Sequence, residues 1–273
     1  MHQESIGRSI EGANSSLTRE NEHDRCPDYG IYAWPYFLSV ITMGVIGLIL
    51  FFSSSLLGNW ALYSGLVLTI IGFYFTSTHY LYMIFHLRRI RDMGKMINEF
   101  SHSEKMNLIL DLGSGTGRTT ILAAKIFRTS RVIGIDIYST RTLSKNSPKQ
   151  AYENAQIEAV NNRVSFNYGD ARYIPFRDQC FDMVICTSVL HIISTKDREQ
   201  VIEEAKRVLK NHGKFIMIEF LRTVKTLLIY WFPAFWVFQR GKYWFTLLNS
   251  SGLQNVRMTR IGDLAVFHSE KRN

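Results

Sequence analysis

A glycine-rich turn constrains the fold of this chain more than any other stretch of its sequence. Residues 109–117 are an apolar run with one acid that breaks into alternating glycines and then enters a helical pattern. Gly113, Gly115 and Gly117 let the backbone turn sharply and approach a ligand closely, because no Cβ stands in the way. The amides at the start of the following helix then face that ligand. The pattern predicts the first strand, the tight turn and the helix start of a nucleotide-binding α/β domain.

Strands and helices alternate after this turn. Residues 131–136 are predicted to form a second buried strand that ends in Asp136, where a carboxylate can accept hydrogen bonds from ribose hydroxyls. Asp170 follows a third strand and His191 follows a fourth. The remaining predicted elements are strands over 164–168, 181–187, 214–219, 256–260 and 264–268, helices over 118–127 and 148–161, a helix capped by Ser194 and a last helix over 247–253. Such alternation predicts an α/β domain in which helices cover a sheet.

The glycine turn resembles motif I of the class I S-adenosylmethionine-dependent methyltransferases. Its glycines follow G-x-G-x-G with Asp111 two residues before the first, whereas a dinucleotide-binding turn has G-x-G-x-x-G. The run Phe181-Asp182-x-Val184 and the later Val-Leu-His ending at His191 resemble the small-molecule and lipid branch, which includes the quinone C-methyltransferases. Ile192 stands where that branch has a second histidine. The resemblance covers about residues 107–220 and implies an α/β fold, a Rossmann-like seven-stranded sheet with helices on both faces.

This resemblance implies methyl transfer as the activity and S-adenosylmethionine as the cofactor. It assigns Asp136 to the ribose hydroxyls, Asp170 to the adenine amino group, and Asp111 to the turn and the methionine amino group. The full predicted cofactor-binding set is Asp111, Gly113, Ser114, Gly115, Gly117, Asp136, Ile137, Asp170, Ala171 and Thr187. Thr187 belongs to it only by its position at the end of the fourth strand. His191 is either the catalytic general base near the methyl group or a histidine packed beside the cofactor.

The net charge and the cysteines limit which binding partners and which compartment we expect. The net charge is +9, and residues 1–28 hold three basic against six acidic residues, so the remainder carries 29 basic against 17 acidic ones. This excess suits an anionic membrane surface or a nucleic acid, or it is an ordinary basic surface. Cys26, Cys180 and Cys186 form no C-x-x-C pair and lack a histidine at metal-ligand spacing, so we expect no metal and a reducing compartment.

A long uncharged run precedes the α/β pattern. Residues 29–87 contain no Asp, Glu, Lys or Arg, and the run divides at Gly58 into two spans, each long enough to cross a bilayer. Aromatic residues at the span ends, such as Tyr32 and Trp34, are typical of membrane interfaces. We therefore predict a transmembrane helical hairpin rather than two buried helices of a soluble bundle. His79 and His86 are interpreted as interfacial polar residues rather than ligands.

The remaining segments follow from their charge and apolar patterns. Residues 1–28 are predicted to be a flexible polar tail, residues 88–106 a connecting helix, and residues 107–273 the methyltransferase domain. The basic run that begins at Arg88 places this domain and both termini on the cytoplasmic side by the positive-inside rule. Within the domain, residues 221–242 form an aromatic insertion that either dips into the membrane interface or packs as a core helix.

Three functions are compatible with the sequence. The first is a membrane-anchored methyltransferase that acts on a phospholipid headgroup, quinone, sterol or other isoprenoid. The second is a tethered protein or nucleic-acid methyltransferase, although the motifs Pro-Cys and Asp/Asn-Pro-Pro-Tyr are missing near the fourth strand, which makes nucleic acid unlikely. The third is a nonenzymatic membrane protein that binds S-adenosylmethionine. A fourth and more remote function is transfer of an aminopropyl group from the decarboxylated cofactor.

Overall fold

A computed structural model describes residues 26–32, 34–99, 106–226, 228–229 and 237–272. Between 82 and 99 the described side chains are those of Met93, Lys95 and Ile97. The helices are α1 Trp34–Phe52, α2 Ser54–Leu57, α3 Asn59–Glu99, α4 Arg118–Ile126, α5 Pro148–Ile157, α6 Arg198–Val208 and α7 Gly241–Ser250. The strands are β1 Leu108–Leu112, β2 Arg131–Asp136, β3 Val164–Tyr168, β4 Phe181–Thr187, β5 Leu209–Phe220, β6 Gln254–Ile261 and β7 Leu264–Glu270.

The strands form one seven-stranded mixed sheet in the order β3-β2-β1-β4-β5-β7-β6. Strands β1 to β5 are parallel, and β7 lies antiparallel between β5 and β6. The chain order reverses at β1, whose neighbours are β2 and β4. Ligands of open α/β sheets bind at the carboxyl ends of the strands beside such a reversal. The predicted Rossmann-like seven-stranded sheet is therefore confirmed, and its topology directs attention to the glycine turn after β1.

Alternating side chains of the buried strands supply two hydrophobic layers. One layer joins Ile109 and Ile185 of the sheet to α4 and α5, and it includes Met93 and Ile97 from the end of α3. The opposite layer packs Leu110 and other sheet residues against α6 and α7. Helices thus cover both faces, as predicted, and the last turns of α3 belong to the domain core.

Helices α1 and α3 pack as an antiparallel hairpin through glycines. A Cβ built on Gly65 would lie 2.5 Å from the Phe51 amide nitrogen, and one on Gly72 would lie 2.5 Å from the Gly44 Cα. Because only hydrogen atoms fill these positions, the two backbones come into contact. By length and composition, Trp34–Phe52 and Asn59–Leu81 could each cross a membrane. Only 11% and 17% of the residues in their most apolar 18-residue stretches are buried.

A side chain at Gly65 should weaken this hairpin. We expect Gly65→Val to destabilise the protein by about 1–3 kcal/mol, as overpacking typically does, and to lower the thermal unfolding midpoint measured in detergent micelles. Leu66→Val is the matched control, since Leu66 is 45% exposed on the same helix. An unchanged midpoint for Gly65→Val would contradict the close packing of the two helices.

Several predicted boundaries were wrong for local reasons. Helix α5 ends at Ile157 rather than near Asn161, because Ala159 adopts a left-handed φ of 55°. Ser194 makes no side-chain capping bond, and a short 3₁₀ turn over Thr195–Asp197 precedes α6. Strand β5 begins at Leu209, so residues 209–213 extend the sheet instead of ending the helix. Helix α7 begins at Gly241 and not at Leu247.

The predicted segments around the domain are only partly described. The second span and the connecting helix form one continuous helix, α3, as far as Glu99. Residues 100–105, most of the polar tail and much of the aromatic insertion lie outside the described residues. One contact joins the insertion to the hairpin, since the Tyr74 hydroxyl donates to the Leu228 carbonyl oxygen at 3.3 Å.

Candidate cofactor and acceptor site

The turn after β1 can be built only with glycine. Gly113 and Gly115 have φ values of 72° and 55°, and a Cβ on Gly113 would lie 2.1 Å from Cγ2 of Val189. The amides of Gly113 and Ser114 donate to the Ile135 carbonyl oxygen at 2.8 and 3.1 Å, which ties the turn to β2. The turn therefore presents bare backbone at the start of α4, where amide groups and the helix dipole favour polar ligand groups.

Asp136 holds this turn from the end of β2. Its carboxylate accepts hydrogen bonds from the Gly115 amide at 3.0 Å, the Tyr138 amide at 2.5 Å and the Asn146 side chain at 3.3 Å. Asp136 is only partly buried and lines a cleft of about 500 Å³. The structure thus gives the predicted ribose ligand a second task, which is to fix the shape of the glycine turn.

Asp111 lies behind the turn and does not line the cleft. It is fully buried, and one carboxylate oxygen accepts a hydrogen bond from the Thr120 hydroxyl at 2.6 Å. Its other oxygen has no hydrogen-bond partner among the described residues. Burial raises the pKa of Asp111 to about 7, because removal from water penalises the charged form.

The predicted adenine-binding residues lie together at the far side of the cleft. Asp170, Ala171 and Ile137 all line it, as does Thr187 at the end of β4. The Arg172 guanidinium donates to both carboxylate oxygens of Asp170, with a closest distance of 2.6 Å, and holds the pKa of that carboxyl below its usual range. An adenine amino group would therefore share Asp170 with Arg172.

The cleft brings together most of the predicted cofactor set. Its lining includes Gly113, Ser114, Gly115, Asp136, Ile137, Asp170, Ala171 and Thr187, while Asp111, Gly117 and His191 lie outside the lining. The lining also includes residues that no motif predicted, among them Tyr32, His79 of α3 and Phe220 of β5. Among the described residues, no cluster of three or more His, Cys, Asp or Glu side chains could hold a metal ion.

His191 is buried and engaged at both ring nitrogens. Its Nδ1 lies 2.7 Å from a carboxylate oxygen of Glu219, and its Nε2 lies 2.5 Å from the Tyr32 hydroxyl. The second carboxylate oxygen of Glu219 accepts from the amides of Val189 and Leu190. No sequence pattern predicts this pairing, because Glu219 is simply a residue of β5 and Tyr32 is explained as an interfacial aromatic.

Tyr32 reaches the site because residues 28–32, here called the N-terminal strap, lie on the α/β domain. Asp28 exchanges hydrogen bonds with the Asn154 side chain at 2.8 Å. The Ile31 amide donates to the Ser144 hydroxyl at 2.7 Å, and the Ser144 amide donates to the Ile31 carbonyl oxygen at 3.1 Å. The strap therefore covers one side of the cleft before the chain enters α1 at Trp34.

Comparison with known proteins shows what this domain is similar to. Residues 109–213 match the family described as a methyltransferase domain. The seven-stranded fold and the glycine turn agree with this match, which therefore supports the predicted activity class and cofactor.

The alignment with each curated relative covers only part of that relative's length. The chain is similar to a demethylmenaquinone methyltransferase of Lactobacillus johnsonii, 36% identical over 40% of this chain and 42% of that protein. It is also similar to a ubiquinone/menaquinone biosynthesis C-methyltransferase of Hydrogenovibrio crunogenus, 28% identical over 48% of each chain. The crystal structure of a methyltransferase from Aquifex aeolicus shares the fold, with a TM-score of 0.53, 20% identity and coverage of 64% of this chain and 87% of that one. The chain spans less than half the length of the curated relatives it matches.

The residues present fit S-adenosylmethionine. A Cβ on Gly113 would collide with the Val189 side chain, so the turn keeps bare backbone at the cleft. Beside it lie buried polar atoms without a hydrogen-bond partner among the described residues, namely one oxygen of Asp111 and the hydroxyl of Thr187. Carboxyl and hydroxyl groups suit the amino and hydroxyl groups of the cofactor.

Cofactor affinity should depend on pH through Asp111. With a pKa near 7 in the free protein, Asp111 is mostly ionised at pH 8 and mostly protonated at pH 6. A cationic ligand favours the ionised form, so the affinity for S-adenosylmethionine should fall by about tenfold from pH 8 to pH 6. Isothermal titration calorimetry across this range measures the effect. In Asp111→Asn, the affinity should change with pH only as far as the ligand itself titrates. The same pH dependence of affinity in the variant and the wild type would contradict the prediction.

Proposed function

We propose that this protein is a membrane-anchored S-adenosylmethionine-dependent methyltransferase that methylates a lipid or lipid-soluble small molecule. The candidate acceptors are a phospholipid headgroup, a quinone, a sterol or another isoprenoid. One observation carries the proposal: the cleft formed by the glycine turn is also lined by His79, which belongs to the apolar helix α3. An acceptor dissolved in the bilayer would therefore meet the cofactor where the hairpin joins the domain.

The exposure of the hairpin supports membrane anchoring. Many large apolar side chains of α1 and of the first part of α3 face outward, including Ile49, Phe52, Ile70 and Phe73, which are 58% exposed or more. A core helix of a soluble protein would bury such residues. At 1.5 Å per residue the two apolar spans are about 28 and 34 Å long, close to the thickness of a hydrocarbon layer. The bilayer is thus the partner that we propose for this surface.

The side of the membrane follows from the basic residues. Arg88, Arg89, Arg91 and Lys95 come directly after the second span, so the positive-inside rule favours a cytoplasmic domain. Two crossings then bring both termini to the cytoplasmic side. The contact between Tyr74 and Leu228 supports an aromatic insertion that meets the membrane surface beside the hairpin.

Residues of the cleft have distinct proposed roles. Asp136 would bind the ribose hydroxyls, Asp170 and Ala171 the adenine ring, and the amides of the glycine turn the methionine part. Bound S-adenosylmethionine supplies a sulfonium methyl group that is readily transferred to a nucleophile. The protein contributes mainly by aligning the two partners and excluding water, since proximity is the largest effect in such a displacement. His191 lies behind the cleft and is proposed to take up the proton of an acceptor that must lose one, through a residue of the cleft lining and not by direct contact.

A labelling experiment tests this function. The purified protein is incubated with methyl-labelled S-adenosylmethionine and either whole membranes or soluble extract, and the products are separated into organic, protein and nucleic-acid fractions. We expect label in the organic fraction of the membrane sample. Label confined to protein or nucleic acid would overturn the lipid assignment, and cofactor binding without transfer to any fraction would identify a nonenzymatic binding protein.

A further inference from the structure

A line of three hydrogen-bonded side chains leads from the cleft into the domain core. Tyr32 lines the cleft, whereas His191 and Glu219 lie behind it, with side chains only 1% and 0% exposed. The Tyr32 hydroxyl lies 2.5 Å from Nε2 of His191, and Nδ1 of His191 lies 2.7 Å from Glu219. The group that meets an acceptor in the cleft is therefore the phenol of Tyr32 rather than the imidazole of His191.

The partners of His191 determine the direction of these hydrogen bonds. The carboxylate of Glu219 accepts from Nδ1, as it also accepts from the amides of Val189 and Leu190. A neutral imidazole that donates from Nδ1 has its lone pair on Nε2. Tyr32 must then donate its hydroxyl proton to Nε2, so the phenol lies between the cleft and the ring nitrogen that can take its proton.

The surroundings of His191 are apolar and closed. The rings of Phe220 and Phe238 pack at 6.0 and 5.3 Å from the imidazole centroid. Arg198 donates to the His191 carbonyl oxygen at 3.3 Å, which fixes the backbone there. In such a dry site hydrogen bonds are strengthened and their geometry is well defined. The imidazole is thus oriented toward Tyr32 by contacts that need no ligand.

We propose that Tyr32 is the catalytic residue that receives the acceptor's proton, with His191 and Glu219 as positioning residues behind it. This inference rests on the proposed methyl transfer and restricts the acceptor to one that loses a proton, such as a hydroxyl group or an acidic carbon. As the acceptor atom forms its bond to the methyl carbon, the bond from that carbon to the sulfonium sulfur breaks and leaves a neutral thioether. The acceptor's proton passes to the Tyr32 oxygen, the Tyr32 proton passes to Nε2 of His191, and the resulting imidazolium, stabilised by Glu219, later releases a proton to water.

The first test compares two tyrosine variants. Tyr32→Phe should reduce the single-turnover rate of methyl transfer by about 100-fold or more, as loss of general acid–base catalysis does, with S-adenosylmethionine affinity changed less than about threefold. Tyr152→Phe is the matched control, because the Tyr152 hydroxyl also bonds within the domain, accepting from the Phe166 amide, and does not line the cleft. It should retain the wild-type rate within about twofold.

A second readout does not depend on turnover. In full-length protein labelled with ¹⁵N-histidine, in detergent micelles, the His191 resonances should report the Nδ1–H tautomer, with assignment from His191→Gln. Tyr32→Phe should move the Nε2 resonance to that of an unbonded nitrogen, and Glu219→Gln should disturb the tautomer. Retention of the wild-type Nε2 signal in Tyr32→Phe would overturn the proposed hydrogen-bond line.

These outcomes distinguish two proposals: the proton relay, which is the transfer from the acceptor through Tyr32 to His191, and the methylation of a lipid. If wild-type protein labels lipid and Tyr32→Phe does so at the same rate, the relay is wrong and the lipid methyltransferase stands. If label instead enters protein or nucleic acid, the lipid assignment fails, and the same pair of variants assayed on that fraction decides the relay. If the wild type transfers no label, both proposals fail.

Discussion

Asp136→Ala is expected to weaken S-adenosylmethionine binding by about 100-fold or more. The substitution removes the proposed partner of two ribose hydroxyls, and hydrogen bonds to charged groups contribute about 1.5–3 kcal/mol each. It also removes the acceptor for the Gly115 and Tyr138 amides. Calorimetric titration of the full-length protein measures the dissociation constant, and the unfolding midpoint reports whether the turn has been destabilised.

Two controls interpret this result. Asp178→Ala removes a carboxylate that is 70% exposed and lies outside the cleft, so it should leave affinity within about twofold of the wild type. Asp136→Asn keeps an acceptor for the turn amides but loses the charge, and we expect an intermediate affinity. Wild-type affinity in a folded Asp136→Ala protein would show that the cofactor does not bind at the end of β2.

Shortening the hairpin is expected to reduce transfer to membrane acceptors greatly. Gly44 and Gly72 face each other, since a Cβ on Gly44 would lie 3.5 Å from the Gly72 Cα, so a short Gly-Ser linker can replace residues 45–71. The shortened helices cannot cross a hydrocarbon layer of about 30 Å. We expect loss of co-flotation with liposomes and a fall of more than about tenfold in transfer to acceptors held in vesicles.

This design leaves the cleft intact. It retains the N-terminal strap and the packing of Phe37 on His79, whose ring centroids are 5.2 Å apart. Cofactor affinity and transfer to detergent-dispersed acceptor should therefore remain within about threefold of the wild type. Undiminished transfer to vesicle-held acceptor by the shortened protein would contradict the role proposed for the hairpin.

Much of the α/β domain could be predicted because its signals are local. Apolar runs that end in Asp136 or lead to Asp170 define strands and their carboxyl ends without knowledge of the rest of the chain. The turn at Gly113 is marked by three alternating glycines within nine residues, whereas the contact with Val189 that also excludes a Cβ there has no local signal. Helix ends were less predictable. Helix α5 ends before a residue with left-handed backbone, and this residue is Ala159 and not the glycine that usually marks such a position.

The contributors to the cleft that come from distant parts of the chain could not be predicted. Tyr32 lies 159 residues from His191, and His79 belongs to the part of α3 that composition assigns to the membrane hairpin. Their placement depends on how the hairpin packs against the domain, which no periodicity encodes. The position of Tyr32 at the end of a membrane span already explains an aromatic residue there. Nothing else in the sequence indicates its contact with His191.

A vesicle experiment tests the central claim most directly, namely that the cleft takes its acceptor from the bilayer in which the hairpin is embedded. The protein is reconstituted into vesicles made from the lipid fraction that accepts label, and these are mixed with an equal amount of protein-free vesicles of the same lipid that can be separated by density. With methyl-labelled S-adenosylmethionine, we expect label in the protein-bearing vesicles and little in the others. Equal labelling of both populations at early times would contradict the account, because the acceptor would then reach the cleft from solution.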